Sequence, residues 1–137
     1  MSRRDKIHDA FRKALEAEGW TITHDPLPVK IGNKSAQIDL GAERIIAAEK
    51  ENEFIAIEVK SFIGTSTITE FYRAVGQWEL YGRAMKKQYP GRTLFLGLPK
   101  MIYKELYQDI FEFEDFEDLN HQIVILDIDK NSLKWIK

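Results

Sequence analysis

The sequence predicts a single α/β domain with a mixed central sheet flanked by helices. Three observations carry that prediction. The chain has 137 residues, a length that suits one hydrophobic core. The run "TLFLGL" is apolar throughout, as expected of a strand covered on both faces. Between it and the earlier apolar run "EFIAIEVKSF" lies the longest helical pattern in the chain. Strand, helix and strand from Phe54 to Leu98 therefore read as one βαβ unit, with a right-handed crossover expected.

The remaining elements follow in order. Asp5 to Glu18 reads as a helix, because Ile7, Phe11 and Leu15 recur every four residues and Gly19 supplies a natural stop. "WTITHDP" is a short strand closed by Asp25-Pro26. "VKI", the turn "GNK" and "AQIDL" suggest a hairpin that holds Asp39 near a strand end. "RIIAAEK" and "FIAIEVKSF" are two more strands, joined by the polar turn Glu51-Asn52-Glu53. The long helix is expected to open on a capping box of Thr67 and Glu70, with Ile68, Phe71, Tyr72 and Val75 as its early apolar face and Pro90-Gly91 as its stop. The acidic segment "DIFEFEDFEDLN" reads as a further helix, and "IVILD" with "LKWI" closes the chain as a hairpin. No internal repeat, linker or second domain stands out, so residues 1–137 are read as one unit.

Composition removes several function classes. The chain has no cysteine, which excludes thiol catalysis, disulfides and cysteine-ligated zinc and fits a reducing cytoplasm. No apolar run approaches the roughly 20 residues of a membrane span, and "MSRRDKIHDAF" has no signal-peptide core. Formal net charge is −2, so the chain as a whole is no sponge for nucleic acid. Much of that acidity is concentrated in the "DIFEFEDFEDLN" segment, and any nucleic-acid contact is expected away from it.

One strand breaks its own pattern. In "AIEVKSF", Glu58 and Lys60 fall on one face while Ile57 and Val59 fall on the other. Asp39, at the end of the preceding hairpin, can be brought beside Glu58 by a neighbouring strand. On the following helix Gln77 and Tyr81 are four apart and share a face. Two carboxylates bind a hard divalent cation such as Mg²⁺, with waters and a phosphate oxygen completing the shell. Such a metal acidifies a bound water and stabilises charge at phosphorus. A lysine one strand step beyond can hold or deprotonate that water, and pairs with Glu58 when no metal is bound. Phosphodiester cleavage requires no histidine or cysteine beyond these parts.

Asp39, Glu58 and Lys60 resemble the D…(D/E)-x-K signature of the restriction-endonuclease-like, or PD-(D/E)XK, superfamily. Gln77 and Tyr81 are similar to the Q-x-x-x-Y helix motif of its RecB-like branch, where the glutamine supports the site and the tyrosine lies toward DNA. Over nearly the whole length, "IHDAFRKALEAEGWTITHDPL", "IDLGAERIIAAEKENEFIAIEVKSFIGTSTITEF", "AVGQWELY" and "LKWIK" resemble the XisH family, the fdxN-element excision controlling factors of cyanobacteria. The resemblance implies a restriction-endonuclease-like core and a role in removing a DNA element, together with a companion factor, XisI. It implies Mg²⁺ or Mn²⁺ held by Asp39, Glu58 and the Val59 carbonyl, with Lys60 on the water and Gln77 bracing the site. Ser66 and Thr67, in "GTST", would join Tyr81 in touching DNA. The residue before Asp39 is Ile38, not the proline of the nominal motif, and Asp9 or Glu16 on the first helix is a candidate further acid. Many nucleases of this fold pair up, so a homodimer is a reasonable expectation.

Plainer readings stand beside these. A lone E-x-K on a strand is usually an ion pair or a solvated face, and N-capping explains Ser66 or Thr67 without any phosphate. Trp20, Trp78 and Trp135 read as core or interface residues. His8, His24 and His121 lack metal-ligand spacing and read as structural or solvated. The alternative to an endonuclease is a catalytically inactive accessory protein of the same fold, binding DNA or a partner such as XisI during excision.

Overall fold

The computed structural model describes residues 2–35, 45–63, 66–114, 116, 119 and 121–136. Its first element, α1, runs Arg3–Ala17, with the Ser2 side chain accepting from the Asp5 amide at its start. The predicted stripe is the one buried: Ile7, Phe11, Ala14 and Leu15 all face the sheet. Strands β1 (Thr21–His24), β2 (Lys30–Ile31) and β3 (Lys34–Ser35) follow, then β4 (Ile45–Lys50) and β5 (Glu53–Val59). Helix α2 (Thr67–Gln88) leads to β6 (Arg92–Pro99), then to α3 (Lys100–Leu106), which continues as a π-helical turn over Tyr107–Phe111. Strands β7 (Ile123–Asp127) and β8 (Ser132–Ile136) complete the chain.

Six strands make one mixed sheet in the order β1-β4-β5-β6-β7-β8, and β2-β3 form a separate small ribbon. The central neighbours β5, β6 and β7 are parallel, while β1/β4, β4/β5 and β7/β8 are antiparallel. The predicted βαβ unit is therefore present, and β6 is buried from Leu94 to Pro99 because strands flank it and helices cover it. Between β4 and β5 the turn is Glu51-Asn52 alone, both residues with positive φ, as a two-residue primed turn requires. Glu53 already belongs to β5.

Each face of the sheet has its own core. On one, Ile55, Ile57, Val59 and Phe95 pack with α1 around Phe11. On the other, Ala56, Leu94, Leu96 and Ile125 pack with α2 and α3. Gly97 on β6 makes the first of these close: a Cβ there would lie 2.6 Å from Ile57 Cγ2 and 2.9 Å from Phe11 Cζ.

Three sequence expectations change. The N-cap of α2 is Ser66, whose side chain accepts from the Thr69 amide, so the capping box on Thr67 and Glu70 is one residue out of register. Glu70 instead faces Arg73 at 3.4 Å. The buried face of α2 is Phe71, Ala74, Trp78, Tyr81 and Met85, while Ile68 and Tyr72 are exposed. Both stripes have helical spacing, and only the position of the sheet chooses between them. Finally, a helix not expected from the sequence runs over Lys100–Phe111, because the buried Ile102, Leu106 and Ile110 set its period. The acidic residues begin in its last turn. Within the acidic segment Leu119 is also helical, and its neighbours lie outside the described residues.

Candidate functional site

The site grows from the end of β5. Alternation along the strand sends Ile57 and Val59 into the α1 core and leaves Glu58 facing α2. Glu58 is 1% exposed, one of two buried polar residues among the described positions, the other being Ser61. A buried carboxylate is tolerated only where charge and hydrogen bonding compensate it. Lys60 provides the charge: its Nζ lies 3.4 Å from Glu58 Oε2, with both side chains largely buried. Its backbone amide continues the ladder past the strand by donating to Gly97 O at 2.9 Å.

Helix α2 closes the site from above. Lys60 Nζ donates to Gln77 Oε1, so the ammonium sits between the carboxylate on its own strand and an amide on the helix. One turn later Tyr81 is 6% exposed. Burial, and then the negative charge of Glu58, push its phenol up to about 12 from the ordinary 10.0. Gln77 and Tyr81 thus share the helix face turned toward the Glu58–Lys60 pair, as their spacing of four predicted.

The chain leaves the strand by a strained route. After buried Ser61, Phe62 takes φ 55 and is itself buried among the α2-side residues. A left-handed conformation in a bulky residue costs on the order of 1–3 kcal/mol and persists only where the surroundings enforce it. No sequence signal marks it. Beyond it Ser66 is exposed and occupied as the N-cap of α2, with Thr67 half-buried next to it.

Other expected residues fall elsewhere. Asp39 lies outside the described residues, as do Asp115, Glu117 and Asp118 of the acidic segment. Asp9 and Glu16 are on α1, which covers the face opposite Glu58. Trp20 and Trp78 are core residues, and His24 and His121 are exposed. His8 has a structural partner: its Nε2 lies 2.7 Å from Asp25 Oδ2, an oxygen that also accepts from Arg12 Nη1 at 2.6 Å. That buried carboxylate fastens α1 to the end of β1, and sequence spacing gave no sign of it.

The donor set at the strand end is all oxygen: the Glu58 carboxylate and the backbone carbonyls beside it. This fits a hard cation that keeps several of its waters, and not a thiolate-loving or imidazole-bound metal. Among the described residues no group of three His, Cys, Asp or Glu gathers as a fuller metal site.

A family model for the XisH protein matches residues 1–134. The chain belongs to the XisH family. Two solved structures resemble it over almost their whole length. An XisH family protein from Nostoc punctiforme PCC 73102 is 36% identical with a TM-score of 0.84, covering 97% of this chain and 100% of that one. An fdxN element excision controlling factor protein from Anabaena variabilis is 34% identical with a TM-score of 0.83, covering 97% and 99% respectively. No curated protein matches. Among the described residues of this XisH chain, no helix is long and apolar enough to cross a membrane.

Proposed function

We propose that this XisH protein is a DNA-rearrangement factor of the restriction-endonuclease-like type, acting on phosphodiester bonds with Mg²⁺ or Mn²⁺ during excision of a DNA element. The observation that carries the reading is the Lys60 ammonium held between Glu58 and Gln77 at the end of a buried strand. An ion pair serving only stability rarely justifies burial, because desolvation offsets most of the attraction. A buried carboxylate and ammonium on one face, braced by an amide, suit a site that exchanges partners when ligand arrives. The excision role follows the name of the Anabaena variabilis relative.

In this reading Glu58, the Val59 carbonyl and Asp39 would hold the cation. Bound there, it would acidify a water and stabilise charge at the scissile phosphate. Lys60 would orient that water, giving up Glu58 as its neighbour, and Gln77 would keep the ammonium in place during the exchange. Tyr81 would meet DNA only at its hydroxyl edge, since its ring is buried, and Ser66 and Thr67 would present the start of α2 to a phosphate.

The test is nicking of supercoiled plasmid and branched DNA by the purified protein with Mg²⁺ or Mn²⁺. Cleavage that disappears in Lys60→Ala and Asp39→Ala supports the assignment. Cleavage that survives either change refutes it. No cleavage by the wild type, with DNA or XisI still bound, favours a non-catalytic accessory role.

A further inference from the structure

A second feature lies on the same face and at the same end of the sheet. Helix α3 and the β7-β8 hairpin enclose a cleft of about 820 Å³. Four lysines line it, Lys100, Lys104, Lys130 and Lys134, together with Tyr103 and Tyr107. Its acids are Asp127 and Glu112. Glu112 comes from the acidic segment, so the cleft lies beside that segment and not away from it, as the sequence led us to expect of a nucleic-acid contact. Asp127 is already engaged: its Oδ1 accepts from the Lys130 amide at 3.2 Å, and its Oδ2 lies 3.5 Å from Lys100 Nζ. That backbone bond first, and the Lys100 ammonium after it, hold its carboxyl below the ordinary range.

Lys104, Lys130 and Lys134 are exposed, and none of them makes an ion pair among the described residues. Three cations left facing one cleft repel one another and favour an anion between them. The placement follows from the register. Lys134 is opposite Ile125, which packs in the α2/α3 core, so the lysine points to the face that α3 covers. Gly97 is opposite Val59, so Lys60 lies level with Leu98, and Lys100 follows two residues later, about 7 Å along the strand direction. The cleft therefore begins roughly two stacked nucleotides from Lys60, at about 3.4 Å each.

We propose that this cleft is a track for a single nucleic-acid strand, with Lys104, Lys130 and Lys134 on its phosphates and the half-exposed Tyr107 as a stacking platform for a base. Lysine recognises phosphate as a point charge, and base–aromatic stacking tolerates any sequence. A strand in the track leads directly to the Glu58–Lys60 pair, which explains how a chain of net charge −2 holds a polyanion: locally, on one edge. The proposal takes its choice of nucleic acid from the reading above but needs no cleavage.

Anisotropy of a fluorescein-labelled oligothymidylate, titrated in EDTA at several salt concentrations, tests it. The double variant Lys104→Ala/Lys134→Ala is expected to bind about 10-fold more weakly, with the slope of log K against log salt shallower by about 1.4, near 0.7 per lost phosphate contact. Tyr107→Ala is expected to lose at least about 5-fold with the slope unchanged. Wild-type affinity and slope in the double variant overturn the track, as does a wild type that binds duplex but not the single strand. A track that binds normally while nicking fails would sink the nuclease reading alone.

Discussion

Lys60 and Gln77 are joined by one hydrogen bond, and through it the end of β5 is fixed to the middle of α2. The two residues are far apart along the chain and come from elements of different period. Without the amide, the ammonium keeps only Glu58 as a side-chain partner among the described residues. Gln77→Ala is therefore expected to lower nicking activity by about 10–100-fold, the usual effect of removing a positioning partner. Stability should fall by only about 1 kcal/mol. A nicking time course beside a urea melt separates the two. Equal loss in both would reduce Gln77 to a structural brace.

Gly97 makes the neighbouring strand possible. Its place against Ile57 and Phe11 leaves no room for a methyl group, and both neighbours are fully buried. Gly97→Ala should destabilise the fold by about 1–3 kcal/mol through overpacking. Gly76, on an exposed stretch of α2 with nothing near its missing Cβ, is the control. Gly76→Ala should add about 0.5–1 kcal/mol by helix propensity. Denaturant midpoints for the two variants should move in opposite directions.

Tyr81 links the site to alkaline stability. Its phenol pKa is raised by the fold to about 12, so the folded state holds that proton more tightly than the unfolded chain does. The contribution is complete below the unfolded value near 10 and is lost as pH climbs toward the folded one, on the order of 2 kcal/mol in all. Tyr81→Phe removes this titration. Its stability relative to wild type should rise between pH 10 and pH 12 in paired unfolding curves, and an unchanged difference would deny the coupling.

Asp25 is the corresponding anchor for α1. Its carboxylate, with a side chain 6% exposed, receives His8 and Arg12 on a single oxygen. Asp25→Ala strands both partners, although the half-exposed Arg12 can turn to water. A loss of about 2 kcal/mol is expected. Hydrogen exchange should show faster opening of α1 than of β5 or β6.

What the residues could say alone was mostly periodic. The Ile7-Phe11-Leu15 stripe, the alternation through "AIEVKSF" and the unbroken "TLFLGL" run each carry a local period, so one helix and two strands were legible, although the burial of "AIEVKSF" on both faces was not. The facing of Glu58 with Lys60, and of Gln77 with Tyr81, followed from the same two periods. Tertiary packing decided the rest. Two helical stripes were available on α2, and contact with the sheet buried Phe71 and Ala74 while leaving Ile68 and Tyr72 in water. Neither the His8–Asp25–Arg12 cluster nor the left-handed Phe62 has a sequence period, because each arises where separate segments press on one another. A local pattern records which way a side chain points. Only the assembled sheet determines what it meets there.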